Sequence, residues 1–141
     1  MKYVLDSSVA LKWVLQEVDS SKADALRRAF QTGLHELLAP DVLPIECAHA
    51  LSRAERKNII QPPQGYRHLL NILSTPPRLY SYLPLLDRAF EISSATRQGT
   101  YDCLYIALAE RERCELVTAD IKLVNSLQRR FPMLVPLTSL P

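Results

Sequence analysis

KYVLDSSVALKW, residues 2–13, is the stretch on which the fold turns. Lys2–Leu5 is short, β-prone and without polar alternation, the mark of a strand buried on both faces of a parallel sheet. Asp6-Ser7-Ser8 follows with helix-starting chemistry, because short oxygen-bearing side chains accept from the first unpaired backbone N–H groups of a helix. Val9–Leu15 then carries that helix. The same junction recurs late in the chain. Glu115–Thr118 reads as a strand, and Asp120 opens a helix through Arg130. In an open parallel sheet, ligands collect outside the carboxyl ends of the strands. Both junctions therefore put an acid where a site would form.

Between these ends the chain alternates. Asp19-Ser20-Ser21 caps a helix reaching Gln31, and Gly33 ends it. Glu36–Ala39 reads as a strand stopped by Pro40. Pro44 sits early in a helix with Ile45, Ala48, Ala50 and Leu51 as its apolar residues. Pro62-Pro63 and Gly65 punctuate before a helix over 64–73, which Pro76-Pro77 closes. Leu79–Leu83 alternates as a strand, and Pro84 opens a helix over Leu85–Gln98 ended by Gly99. Asp102–Arg113 is a further helix and Leu134–Val135 a last edge strand. Strands alternating with helices predict an α/β fold, a three-layer α/β/α arrangement with a mostly parallel central sheet, as a single domain over 1–141.

Composition narrows the function classes. A chain of 141 residues buries a core without disulfides. Its net charge of +2, from 17 basic and 15 acidic side chains, is too weak for a wholly basic nucleic-acid surface. Arg53, Arg56, Lys57, Arg67 and Arg97 nevertheless lie near the acids considered below, and Arg129-Arg130 ends a late helix. Cys47, Cys103 and Cys114 form no CxxC pair and have no histidine at ligand spacing. No apolar stretch approaches the ~20 residues of a membrane helix. Met1-Lys2-Tyr3 runs directly into a strand, so no secretory leader and no membrane association are expected. The expected location is the cytoplasm, with reduced thiols.

Four acids stand at comparable places: Asp6, Glu46 in PIECAHAL (44–51), Asp102 in YDCLYIALAE (101–110) and Asp120 in LVTAD (116–120). Taken singly, each has a structural explanation. Asp6 and Asp120 can cap helices, and Asp102 and Glu46 gain from a helix dipole by 0.3–1 kcal/mol each. Taken jointly they suggest a site. If they converge, two charges ~4 Å apart at an effective dielectric of ~20 repel by about 4 kcal/mol. A divalent cation would offset that. Carboxylate and water oxygens suit Mg²⁺ or Mn²⁺, whereas the absence of histidine at all four positions argues against zinc.

The pattern resembles the PIN-domain ribonucleases, and more closely the VapC-like toxins of bacterial type II toxin–antitoxin pairs. The matching segments are VLDSSVALKWVL (4–15), LLAPDVLPIECAHAL (37–51), TYDCLYIALAE (100–110) and LVTADIKL (116–123), in family order. Residues 56–79 carry no family signature. The resemblance implies a metal-dependent endoribonuclease in which Asp6, Glu46, Asp102 and Asp120 are catalytic and hold one or two Mg²⁺ or Mn²⁺ ions. Asp6 and Asp102 would be direct ligands, while Asp120 and Glu46 act directly or through water. The metal would activate a water and stabilise charge on the scissile phosphate. Ser7 and Thr118 would orient the carboxylates, with ordinary capping as the alternative. The implied partners are single-stranded or loop RNA, a small antitoxin that lays an amphipathic segment into an apolar groove, and a second copy in a homodimer.

Other residues read more plainly. Arg53, two helical turns beyond Glu46, can reach a phosphate at the cleft rim or pair with Glu46 or Glu55. Tyr101 can touch substrate, whereas Tyr105 reads as packing, as does Trp13. His35, His49 and His68 are scattered and suggest no catalyst. A haloacid-dehalogenase-type phosphatase would want an aspartate two positions after Asp6, where Ser8 stands. A non-toxin RNA-processing nuclease and a catalytically silent binding module remain as alternatives.

Overall fold

The computed structural model describes residues 1–141 as five strands and seven α-helices. In order these are β1 (Lys2–Leu5), α1 (Ser7–Leu11), α2 (Ser20–Gln31), β2 (Glu36–Pro40), α3 (Leu43–Arg56), α4 (Gln64–Leu73) and β3 (Arg78–Tyr80). Then follow α5 (Leu86–Thr96), α6 (Thr100–Glu112), β4 (Glu115–Thr118), α7 (Ile121–Leu127) and β5 (Leu134–Pro136). The strands form one sheet in the order β3-β2-β1-β4-β5, and every adjacent pair is parallel.

Burial explains why the strands read as unbroken apolar runs. Successive residues Val4 and Leu5 point to opposite faces, yet both are fully buried, as are Leu37, Leu38 and Ala39 in β2 and Leu116 and Val117 in β4. Helices therefore cover both faces. The helix pressed hardest against the sheet is α6, in contact with β1, β2 and β4 and covered outside by α5. All seven residues Cys103–Ala109 are buried. A helix that is apolar all round is stable only when enclosed. Each fully buried Leu or Ile there contributes roughly 1.5–3 kcal/mol.

Several element ends differ from the sequence expectation, for local reasons. The helix after Asp6 starts at Ser7 and stops at Leu11, and turns follow. Trp13 ends this stretch as core: it is buried, its indole Nε1 donates to Ala23 O at 3.0 Å, and the Arg27 guanidinium lies 4.6 Å from its ring centre. The expected strand over Leu79–Leu83 shrinks to Arg78–Tyr80, because its neighbour β2 runs out at Pro40, the partner of Tyr80. Pro84 then sits in a 3₁₀ turn over Leu83–Leu85. Helix α5 ends at Thr96 because Arg97 takes the left-handed conformation (φ 64°). Gly99, expected as a helix stop, is instead the extended residue before α6.

The strand order sets where a site can form. β1, β2 and β3 are laid down in one direction, and the chain then crosses back to put β4 on the other side of β1. The order reverses between β1 and β4, and a crevice opens at the carboxyl ends of strands at such a switch point.

Candidate active site

Asp6 leaves β1 at that switch point, and Thr118 ends β4 beside it. The backbone ties the two ends together, since Asp6 N–H donates to Val117 O at 3.1 Å. Asp6 stands at the N-cap position of α1, but its side chain makes no cap hydrogen bond. It turns to β4 instead. Ser8 Oγ donates to Asp6 Oδ2 at 2.5 Å, and Thr118 Oγ1 donates to the same oxygen at 2.8 Å. Those hydroxyls are themselves held from the β4 side, Ser8 Oγ accepting from Ala119 N at 2.9 Å and Thr118 Oγ1 from Asp120 N at 3.0 Å. Two hydroxyls therefore pin one oxygen of Asp6, and no side chain engages Oδ1. The capping explanation fails for Asp6, whereas it holds for Asp120, whose Oδ1 accepts from Leu123 N at 3.1 Å.

The other two acids come from helices. Glu46 lies in the first turn of α3, and its Oε1 accepts from Tyr105 Oη at 2.6 Å. Asp102 lies in the first turn of α6, with no hydrogen bond to its carboxylate. None of the four acids forms an ion pair with a lysine, arginine or histidine. They act on one another instead. Burial pushes the Glu46 carboxyl up to about 7, against the Tyr105 hydrogen bond that favours its charged form, with Asp6 and Asp102 adding repulsion. Burial pushes Asp102 up to about 6, reinforced by Asp6 and Asp120. Asp6 is raised chiefly by burial, which outweighs the Ser8 and Thr118 hydrogen bonds, and Asp120 adds repulsion. Asp6 and Asp102 thus each feel other acids of the set, and they link Glu46 on one side to Asp120 on the other.

Two expectations need correction. Ser7 makes no side-chain hydrogen bond, and the hydroxyl that orients Asp6 on the α1 side is that of Ser8. Tyr105 packs, with 1% exposure, but its hydroxyl also anchors Glu46. Its place three residues after Asp102, on the same side of α6, does not by itself separate Tyr105 from the packed residues around it. Adjacent serines gave no signal either, since only the packing of β4 selects between them. Arg53 is exposed and pairs with neither Glu46 nor Glu55. Tyr101 is 58% exposed and stands between two surface cavities, one beside Glu46. His49 lines that same cavity.

Chemically, the donor set is all carboxylate oxygen, with unengaged oxygens at each acid and no cation to balance them. That composition fits a hard divalent cation. No three His, Cys, Asp or Glu side chains converge closely enough to enclose an ion by themselves. Any ion here would take only one or two protein ligands at once and complete its shell with water and substrate oxygen, which is the habit of Mg²⁺.

An all-parallel α/β fold with an unneutralised acidic cluster at its switch point is the class this structure defines. The PIN domain family matches residues 3–125. Ribonuclease VapC9 of Mycobacterium tuberculosis is 30% identical over 132 residues, 94% of this chain and 96% of that protein. Ribonuclease VapC3 of Pyrobaculum aerophilum is 28% identical over 138 residues, 96% and 98% of the two chains. Among solved structures, VapBC2 of Rickettsia felis, bound to a DNA fragment from their promoter, aligns with TM-score 0.66 at 18% identity over 96% of this chain and 97% of that one. The chain belongs to the PIN-domain family, within the VapC ribonuclease group.

No helix is long and apolar enough to cross a membrane.

Proposed function

We propose that this protein is an endoribonuclease dependent on Mg²⁺ or Mn²⁺, acting as the toxin of a type II toxin–antitoxin pair in the cytoplasm. The observation that carries the metal-dependent reading is the chain of repelling carboxylates, Glu46 and Asp120 each coupled to Asp6 or Asp102, without a protein cation. A non-catalytic module would bear that repulsion without benefit. Asp6, Asp102 and Asp120 are the proposed metal ligands, no more than two of them to any one ion at a time, with Glu46 completing the catalytic set. When bound, the divalent ion supplies charge neutralisation at the scissile phosphate and polarises water for in-line attack.

The chain's own groups prepare that event. Ser8 and Thr118 hold Asp6 Oδ2, so that the carboxylate keeps one direction. Tyr105 does the same for Glu46 through Oε1, leaving Oε2 as the proton acceptor best suited to near-neutral pH. Tyr101 and Arg53 lie at the rim as candidate RNA contacts. Hydrolysis of this kind requires no 2′-hydroxyl, and single strands enter such a cleft more readily than duplexes. The resemblance to VapBC2 supports a small antitoxin as the protein partner, and a homodimer is the proposed assembly.

The test joins binding to catalysis. Manganese at 100 times its Kd should stabilise the folded protein by about 2.7 kcal/mol. Asp6→Asn, nearly isosteric and still able to accept from Ser8 and Thr118, should abolish both that stabilisation and RNA cleavage while leaving the circular dichroism unchanged. Cleavage that survives EDTA or this substitution would overturn the assignment.

A further inference from the structure

The cavity beside Glu46 has no role in the fold, and its lining is specific. It measures about 490 Å³ and is bounded by Ser7, Leu11, Ile45, Glu46, His49, Ala50 and Tyr101. Leu11, Ile45 and Ala50 make it apolar on one side. Tyr101 borders it as an aromatic ring that is 58% exposed and makes no hydrogen bond, so neither packing nor anchoring explains the residue. On α3, Glu46, His49, Ala50 and Arg53 follow at i, i+3, i+4 and i+7 and share one face. His49 and Arg53 are both exposed and without partners. What sets Arg53 apart from the other unpaired cations is its place, on the helix face that carries Glu46 and His49. The free cation on this face stands ~10 Å along the helix axis from Glu46.

We propose that this cavity is a nucleotide subsite for the residue of a single-stranded RNA next to the scissile phosphate. This rests on the ribonuclease reading above. The base stacks on Tyr101 over the Leu11–Ile45–Ala50 floor, the His49 imidazole meets its polar edge, and Arg53 receives a flanking phosphate. Aromatic stacking is tolerant of base identity because every base has a π face. The subsite therefore positions the strand, and any base preference comes from His49 and Ser7. The α3 face suits a nucleic acid better than an amphipathic helix. It offers an acid for the metal-borne phosphate, a flat ring for a base and a cation for the next phosphate within about two helical turns, whereas its apolar floor is only three side chains wide.

The experiment is an abasic scan crossed with one substitution. A short single-stranded RNA that wild-type protein cleaves in Mn²⁺ is resynthesised with one abasic nucleotide at each position in turn. Wild-type protein should lose about tenfold in kcat/KM when the abasic residue adjoins the cleaved bond on one side, and little elsewhere. Tyr101→Ala should cleave the intact RNA about tenfold less well and show no further loss with the abasic strand, since both changes remove one contact. Arg53→Ala should lower kcat/KM while flattening its dependence on salt. Abasic penalties that are uniform along the strand, or that persist in Tyr101→Ala, would overturn the subsite while leaving the nuclease assignment intact. So would a Tyr101→Ala protein that cleaves RNA normally but no longer holds its antitoxin, because the cavity would then belong to that protein. Failure of wild-type protein to cleave any RNA in Mn²⁺ would instead overturn the nuclease assignment, and the subsite with it.

Discussion

Without divalent metal, raising the pH from 5 to 8 should destabilise this protein, and the acidic cluster itself sets the size of the effect. Glu46 is raised from 4.5 to about 7 and Asp102 from 3.8 to about 6. Both folded values exceed the unfolded ones, so between them the folded chain keeps protons that the unfolded chain has released. The associated stability is fully present below about pH 4, is lost as pH rises through the folded values, and is gone above about pH 7. From pH 5 upward, Glu46 has about two pH units of this window left and Asp102 about one. At about 1.4 kcal/mol per unit this amounts to about 4 kcal/mol. Both side chains keep partial contact with solvent, and screening reduces the expected loss to about 2 kcal/mol. Asp6, also raised, acts in the same direction.

Urea denaturation in EDTA at the two pH values measures this loss directly. With a slope of about 1–3 kcal/mol per molar for a domain of this size, the midpoint should fall by roughly 1 M at pH 8. Manganese should restore it. The Glu46→Gln, Asp102→Asn double variant should lose most of the pH dependence in EDTA, since it removes the two groups from which that dependence was worked. Equal or greater stability at pH 8 in EDTA would refute the reasoning, as would an undiminished pH dependence in the double variant.

Four substitutions probe the residues around the acids and the outer helix pair. Tyr105→Phe removes only the hydroxyl bonded to Glu46 and should cost about 1–2 kcal/mol of stability at most. It should also lower the RNA cleavage rate about tenfold at saturating substrate, measured on an oligonucleotide. Ser8→Ala should destabilise by about 1–3 kcal/mol, because it leaves the Ala119 N–H without its partner and Asp6 with one hydroxyl instead of two. Ser7→Ala, by contrast, should stay within about 0.5 kcal/mol, and thermal melts of the pair decide between the two serines. Arg88→Ala breaks the exposed bridge from α5 to Glu110 on α6 and should shift stability by no more than about 1 kcal/mol, a loss that falls further in high salt.

Much of the architecture was legible because its signals are local. A parallel strand buried on both faces must be apolar without alternation, and KYVL, ELLA and ELVT show it. Where an element ended at a proline or at a run of polar residues, the ends came within a residue or two. The misplaced ends have nonlocal causes. Arg97, not Gly99, breaks α5, and β3 stops where β2 has no more backbone to offer. A left-handed arginine or an exhausted partner strand leaves no mark in its own segment.

The site was partly legible for the same reason. All four acids could be singled out from their places at strand ends and helix starts. Their supporting side chains were not, because Ser8 and Tyr105 act across 110 and 59 residues of chain. Either serine after Asp6 looks equally able to reach a carboxylate until β4 is in place. Tyr105 looks like any apolar helix residue until α3 brings Glu46 to its hydroxyl.

By itself, then, the sequence determined the alternation of strand and helix, the apolar character of the sheet and the four positions at which a carboxylate would stand. Those depend on period, propensity and capping, which act over a few residues. Tertiary structure alone decided that Asp6 is pinned by two hydroxyls and Asp120 is a helix cap, that Ser8 rather than Ser7 holds the first acid, and that Asp6 and Asp102 feel the charges of the other acids. Each of these depends on the return of the chain to place β4 beside β1, because burial and Coulomb repulsion follow distance in space and not distance along the chain.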